Sequence, residues 1–178
     1  MSKINNQIYT YFFKVVGLFA LIWLSITPIN AQNFNPKGQY RLIAKHNGTV
    51  LHVENSKNNG MDNQADVVAR PWNGGNNQRW KVEALGDGTY RLIAVHSGRS
   101  LDVNMGMDNQ ANVVQHEWHG GDNQRWRIEP VGDGYFRLIA KHSGRALDVN
   151  LTDYANVVQH EWHGGDNQRW KIEAVSGN

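Results

Sequence analysis

The tetrapeptide Asn77-Gln-Arg-Trp80 returns unchanged as Asn123-Gln-Arg-Trp126 and as Asn167-Gln-Arg-Trp170. Each copy lies near the end of a longer repeat, and each repeat begins with a Tyr/Phe-Arg-Leu-Ile-Ala segment. These first segments are Gln39 to His46, Thr89 to His96 and Tyr135 to His142. Repetition with a period of 44 to 50 residues indicates a structure assembled from three copies of one supersecondary unit.

Two spacings are constant inside the repeats, and one is not. The Leu-to-Val step is always 11 residues and the Ala-to-Gln step is always 13. The step between them, from the Val to the next Ala, is 12, 8 and 6 residues in the three repeats, and this segment is rich in Asn, Gly and Asp. We interpret it as a surface loop that tolerates insertion.

The apolar residues of each repeat alternate with a period of two, and no stretch keeps a helical period. His-Ser-Gly, Gly-Gly and Gly-Asp-Gly turns separate four short strands in each repeat. A propeller closes with about four to eight such units. Three units favour an all-β fold, a β-trefoil of three four-stranded repeats, with repeats at about residues 36–87, 88–133 and 134–178.

Residues 1–31 differ from the remainder. Lys3 and Lys14 precede the apolar run Val15 to Leu24, and the small residue Ala31 offers a cleavage site. This pattern is typical of a secretory signal peptide, and it predicts a secreted or periplasmic protein with no membrane span after cleavage. The alternative is an uncleaved amino-terminal anchor.

Charge and cysteine content narrow the function classes further. Lys3 and Lys14 account for the whole excess of two positive charges, so the mature region is formally neutral. It also lacks a cluster of basic residues, which argues against nucleic acid as a partner. The sequence contains no cysteine, so the fold must be held by its core rather than by disulfides.

The three Gln-Arg-Trp motifs, with Gly-Gly-Asp-Asn and Leu-Asp-Val upstream, resemble those of the ricin-type β-trefoil lectins. The resemblance covers residues 36–178, within a predicted domain of 32–178. It implies a carbohydrate-binding protein that recognises galactose-type or related glycans and needs no cofactor. It also implies structural work for the three glutamines and for Trp80, Trp126 and Trp170, which would meet in a shared core.

In this family a sugar pocket combines a carboxylate, an amide and a flat ring, because sugars offer paired hydroxyls and an apolar C–H face. By position, the resemblance gives the carboxylates to the aspartates of Leu-Asp-Val, the amides to the asparagines of Asn-Gln-Arg-Trp and the rings to histidines. The pocket residues implied for repeats 2 and 3 are Asp102, His116, Asn123, Gln124, Asp148, His160, Asn167 and Gln168. Repeat 1 has His52 in place of the acid and Arg70 in place of the ring, so we expect its pocket to be silent or altered.

The stacking ring has a second candidate in each pocket. Trp118 and Trp162 share strand parity with the histidines and could cover the sugar instead. They stand, however, where cysteine-bearing relatives carry a half-cystine, whose partner position here holds Val50, Ser100 or Ala146. We therefore interpret these tryptophans, and Trp72 with them, as side chains that replace a disulfide.

Two kinds of chemistry have little support in the sequence. His116-Glu117-Trp118-His119 resembles a zinc-protease motif, but that motif needs histidines four apart on a helix, and these are three apart beside a Gly-Gly turn. We predict no metal site from it. Asp102 and Asp148 occupy equivalent places in different repeats, which would hold them too far apart for a glycosidase pair, so the chain is not expected to be an enzyme.

Two other functions remain open. A β-trefoil can bind proteins through its variable loops, as a secreted protease inhibitor does. It can also serve as a targeting accessory for a separately encoded glycosidase.

Overall fold

Twelve β-strands dominate the computed structural model, which describes residues 34–55, 58–153 and 155–175. They are β1 Gln39–Ala44, β2 Val50–Val53, β3 Val67–Arg70, β4 Trp80–Ala84, β5 Tyr90–Ala94, β6 Ser100–Val103, β7 Val113–His116, β8 Trp126–Pro130, β9 Phe136–Ala140, β10 Ala146–Val149, β11 Val157–His160 and β12 Trp170–Val175. The helical segments in these ranges are short 3-10 turns, at Asn58–Gly60, Asn76–Gln78, Asp122–Gln124 and Asp166–Gln168. The predicted signal peptide lies outside the described residues.

The first and last strands of the repeats form a closed barrel. Strands β1 and β12, β4 and β5, and β8 and β9 pair antiparallel along five or six residues each. Single residue pairs then join β1 to β4, β5 to β8 and β9 to β12, which completes the ring of six strands. Closure leaves none of these strands as an unpaired edge.

The two middle strands of each repeat form a hairpin, and the three hairpins cap the barrel. The hairpins are β2–β3, β6–β7 and β10–β11, each with four residue pairs. Isolated bridges link each hairpin to the other two, between Asp66 and Val114, Asn112 and Val158, and Val68 and Asn156. A six-stranded barrel with three capping hairpins is a β-trefoil, as the repeats predict.

The repeated tryptophans lie where the pattern places them. Trp80, Trp126 and Trp170 are fully buried in the hydrophobic core. The indole N–H of each tryptophan donates to the carbonyl of a buried leucine in its own repeat, at 3.0 to 3.1 Å. The polar end of each ring is thereby satisfied inside an apolar core, which is the usual requirement for a buried tryptophan.

The variable loops pack against the following repeat. In the loop of repeat 1, the Gly60 carbonyl accepts hydrogen bonds from the Gln115 amide at 2.7 Å and from the His96 ring at 2.9 Å. Asn63 Oδ1 accepts from the backbone N–H of Glu117 and from Arg99 Nε, at 2.9 and 2.7 Å. We call this set of contacts the inter-repeat clasp.

Repeat 2 makes the same clasp onto repeat 3, through Gly106 and Asn109. The loop of repeat 3 is the shortest, and repeat 1 lacks the side chains that would receive it. Ala69 replaces the clasped glutamine, Pro71 has no N–H to donate, and within the described ranges neither ring nitrogen of the half-buried His46 has a hydrogen-bond partner. Loop length and the receiving residues therefore change together.

The part of the chain that the structure describes contains no helix long and apolar enough to cross a membrane.

Candidate functional site

In repeats 2 and 3 a buried carboxylate is bonded to an amide from the next segment of the same repeat. Asp102 lies on β6 with only 3% of its surface exposed, and its Oδ1 accepts a hydrogen bond from Asn123 Nδ2 at 2.9 Å. In repeat 3, Asp148 on β10 accepts from Asn167 Nδ2 at 2.8 Å. The carboxylate and amide predicted from the sequence are thus brought together in both repeats.

The 3-10 turn Asp122–Gln124 positions the asparagine, and its last residue holds the facing segment. Gln124 is fully buried; its Oε1 accepts from the His119 N–H, and its Nε2 donates to the Glu117 carbonyl, both at 2.9 Å. Gln168 makes the same two bonds to His163 and Glu161 in repeat 3. Through these backbone bonds, both glutamines hold the facing segment beside the pocket.

Two histidines stand over each buried carboxylate. His116 ends β7, and its Nδ1 lies 3.0 Å from the Glu117 carbonyl, to which it donates. Nε2 of His119 lies 3.6 Å from Asp102 Oδ2, and the two imidazoles meet edge to face with ring centroids 5.5 Å apart. In repeat 3, His160 and His163 repeat this geometry around Asp148, with distances of 3.1, 3.6 and 5.6 Å.

The second histidine of each pair, His119 or His163, is a pocket residue that the sequence analysis did not assign to the site. A signal for it exists in the repeats. Both histidines accompany an aspartate in the Leu-Asp-Val segment, and the repeat without that aspartate carries Asn73 in their place.

The Gly-Gly turn next to His119 allows this arrangement. Gly120 has a φ of +76°, in the left-handed region that favours glycine. Gly121 has ordinary angles, but a Cβ there would lie 2.5 Å from Asn123 Oδ1 and 2.6 Å from His119 Cε1. Only glycine at this position lets the imidazole and the amide approach the same backbone.

Burial raises the pKa of Asp102 above its usual range. The facing His116, Gln124, His119 and Asn123 oppose that shift without cancelling it. Asp148 behaves in the same way, and its pKa is also raised by burial. Among the described residues, Asp102 Oδ2 has no hydrogen-bond partner, although it is shielded from solvent. A buried acceptor without a donor is costly to a fold and points to a ligand.

Comparison with known proteins agrees with this fold. The family model described as "Ricin-type beta-trefoil lectin domain-like" matches residues 30–116, 104–153 and 122–178. The chain belongs to this family. No curated protein sequence matches this ricin-type domain.

Solved structures similar to this ricin-type domain include a designed protein and two natural ones. The designed threefold-symmetric protein ThreeFoil is 46% identical, with a TM-score of 0.72 over 76% of this chain and 97% of ThreeFoil. The exo-β-1,3-galactanase 1,3Gal43A from Clostridium thermocellum is 32% identical, with a TM-score of 0.74 over 80% of this chain but only 31% of the enzyme. The Rhizoctonia solani agglutinin is 25% identical, with a TM-score of 0.69 over 79% of this chain and 97% of the agglutinin.

Repeat 1 of this ricin-type domain has a different pocket. His52 occupies the place of the aspartate, and its Nε2 lies 3.2 Å from Asn77 Nδ2. Arg70, in place of the ring, forms an ion pair with Glu54 at 2.8 Å. Burial lowers the pKa of His52, which favours the neutral imidazole. Repeat 1 therefore offers a neutral ring where repeats 2 and 3 offer a carboxylate.

The tryptophans next to the pockets contact arginine. The Arg91 and Arg125 guanidinium carbons lie 5.1 and 5.7 Å from the centroid of the Trp118 ring, and Arg137 lies 5.2 Å from that of Trp162. In repeat 1, Trp72 lies near the two equivalent arginines, Arg41 and Arg79. These half-buried rings lie outside the hydrophobic core cluster and form cation–π pairs at its margin. With a guanidinium over its face, Trp118 is a poorer platform for a sugar than His116.

Proposed function

We propose that this protein is a secreted lectin that binds galactose-type glycans through two pockets, one in repeat 2 and one in repeat 3. The observation that carries the proposal is the pair of buried carboxylates, Asp102 and Asp148. Each has one oxygen fixed by a neighbouring asparagine and the other directed at two histidines. Membership of a lectin family supports glycans as the partner.

The chemistry of the pocket suits a sugar. A fixed carboxylate accepts hydrogen bonds from two neighbouring hydroxyls, and charge-assisted bonds of this kind are about twice as strong as neutral ones. Asn123 or Asn167 orients that carboxylate. The half-exposed ring of His116 or His160 provides a flat surface for the apolar C–H face.

The galactose class rests on two supports. One is the sequence resemblance to the ricin-type lectins. The other is the 32% identity to a segment of an enzyme named as an exo-β-1,3-galactanase. Secretion rests on the leader-like residues 1–31, and it also places the pockets where extracellular glycans occur.

A glycan array with the purified protein tests the proposal. We expect binding to galactose-containing glycans and a loss of at least tenfold in the double variant Asp102→Asn/Asp148→Asn. An asparagine at these positions keeps an oxygen for the neighbouring amide but removes the charge that sugar hydroxyls require. Because burial disfavours that charge, the variant should be at least as stable as the parent at neutral pH.

The matched control is Asp133→Asn/Asp153→Asn, which makes the same charge change at two aspartates outside both sets of pocket residues and should leave binding intact. Unchanged binding in the Asp102/Asp148 variant would move the interaction to another surface. An array without any binding would favour the protein-binding alternative.

A further inference from the structure

Repeats 2 and 3 each bring three potential metal ligands together. The set is Asp102, His116 and His119 in repeat 2, and Asp148, His160 and His163 in repeat 3. The ligand atoms within each set, one carboxylate oxygen and two imidazole nitrogens, lie within 4.8 Å of one another. Three ligands drawn from a strand, its hairpin partner and the following turn can surround one ion.

The separation of one histidine nitrogen from the carboxylate oxygen fits coordination better than hydrogen bonding. His119 Nε2 and Asp102 Oδ2 are 3.6 Å apart, as are the same atoms of His163 and Asp148. This is beyond a hydrogen bond. Two ligand atoms at about 2.0 to 2.1 Å from one tetrahedral ion lie roughly 3.4 Å apart, so only a small adjustment is needed.

The buried carboxylate supplies an independent observation. Only 3% of the surface of Asp102 is exposed to solvent, and its Oδ2 has no hydrogen-bond donor in the described part of the chain. Its other oxygen is held by Asn123, which fixes the direction of the free one. An oriented, desolvated oxygen facing two imidazoles is what a cation would satisfy.

The histidines are also held in a suitable way. His116 donates its Nδ1 proton to a backbone carbonyl, which leaves Nε2 with a free lone pair, as in many metal-binding histidines. His119 Nδ1 accepts a long 3.2 Å contact from the Gly121 N–H. An ion bound to His119 Nε2 would place the ring proton on Nδ1. Nδ1 could then no longer accept the hydrogen bond from the Gly121 N–H, and this contact would be lost.

We propose that repeats 2 and 3 each bind one divalent transition-metal ion of the zinc class, through Asp102, His116 and His119 and through Asp148, His160 and His163. Two imidazoles with one carboxylate select zinc, nickel or cobalt over calcium and magnesium, which prefer oxygen ligands. His119 and His163 are about half exposed, so the remaining coordination positions face solvent. The proposal does not depend on glycan binding.

Repeat 1 provides the variant that tests it. Asn73 stands at the place of His119, and its Oδ1 accepts from the Gly75 N–H at 2.8 Å, the same contact that His119 makes. His119→Asn and His163→Asn therefore remove a ligand nitrogen while keeping the local turn. His52→Asn, which removes a histidine from the altered pocket of repeat 1, is the matched control.

The experiment is calorimetric titration of the chelator-treated, purified protein with zinc chloride, followed by cobalt(II), whose visible absorption reports coordination geometry. We expect two zinc ions per chain, one after His119→Asn, none after His119→Asn/His163→Asn, and two after His52→Asn. No zinc binding by the parent protein, or two ions in the double variant, would overturn the proposal. The titration contains no sugar, so its failure leaves the glycan proposal standing, and an array without binding leaves the metal result standing.

Discussion

At the scale of single residues, the two buried carboxylates are maintained at a cost to the fold. Burial raises the pKa of Asp102 and Asp148, so the native state favours their protonated forms more than the unfolded chain does. Their ionisation therefore destabilises the native state at neutral pH. This penalty disappears as the pH falls through the raised native pKa towards the pKa of the unfolded chain, about 3.9.

The raised pKa predicts that glycan binding weakens on mild acidification while the fold persists. Protonation of Asp102 or Asp148 removes the charged acceptor at a higher pH than it would for an exposed aspartate. Titration calorimetry with a bound glycan, alongside circular dichroism, measures both quantities. The stability gained by Asp102→Asn/Asp148→Asn should be greatest at neutral pH and shrink below the native pKa. A glycan affinity that stays constant down to pH values near 4 would contradict the prediction.

Residue types predicted part of the pocket and missed part of it. Asp102 and Asn123 could be assigned because they occupy fixed places in a repeated motif. His119 was missed because its only sequence signal is that it occurs together with the aspartate, and its approach to Asp102 depends on the backbone of Gly120 and Gly121. His116 and His119 do not have the spacing of the helical zinc motif, but the hairpin pairing of β6 with β7 places Asp102 beside them.

At the scale of elements, the variable loops do more than connect strands. Their surface location followed from their composition, but their contacts did not, because the receiving residues lie in the next repeat, more than 30 positions along the chain. Asn63 is central to the first clasp, since one oxygen accepts from both Arg99 and the backbone N–H of Glu117. Glu117 lies between the two histidines of the repeat 2 pocket.

Asn63→Ala should therefore weaken the pocket of repeat 2 and leave that of repeat 3 intact. Losing the acceptor for two donors should lower the free energy of unfolding by about 1 to 2 kcal/mol. Glycan affinity should fall several-fold when measured in an Asp148→Asn background, where only repeat 2 can bind. Asn63→Asp keeps an oxygen in place and serves as the control. An equal loss in an Asp102→Asn background, which isolates repeat 3, would count against a local effect.

At the scale of the whole molecule, threefold repetition explains why the fold was predictable and the activity was not. Each repeat must bury an equivalent tryptophan and pair equivalent strands, so the sequence contains the same pattern three times. Three copies of the pattern predict the trefoil. Ligand binding needs only one intact pocket, so a repeat such as the first can lose its acid without losing its core. Repeat 1 has His52 and Arg70 at the pocket positions and still buries Trp80 fully in the core.

Two pockets on one rigid body should bind a glycan-coated surface far more tightly than a free sugar. The pockets belong to different repeats around the barrel, so both can engage only when the glycan is displayed in several copies. Abolishing one of them with Asp102→Asn should leave the affinity of the other for free sugar unchanged, as measured by calorimetry. Retention on a densely glycosylated surface should instead fall by ~100-fold, because linked sites gain their avidity from effective concentration. Asp148→Asn should have the same effect, since the two pockets share their geometry. If either single variant lost only half of the surface binding, the two pockets would be acting independently, and the second would add capacity without avidity.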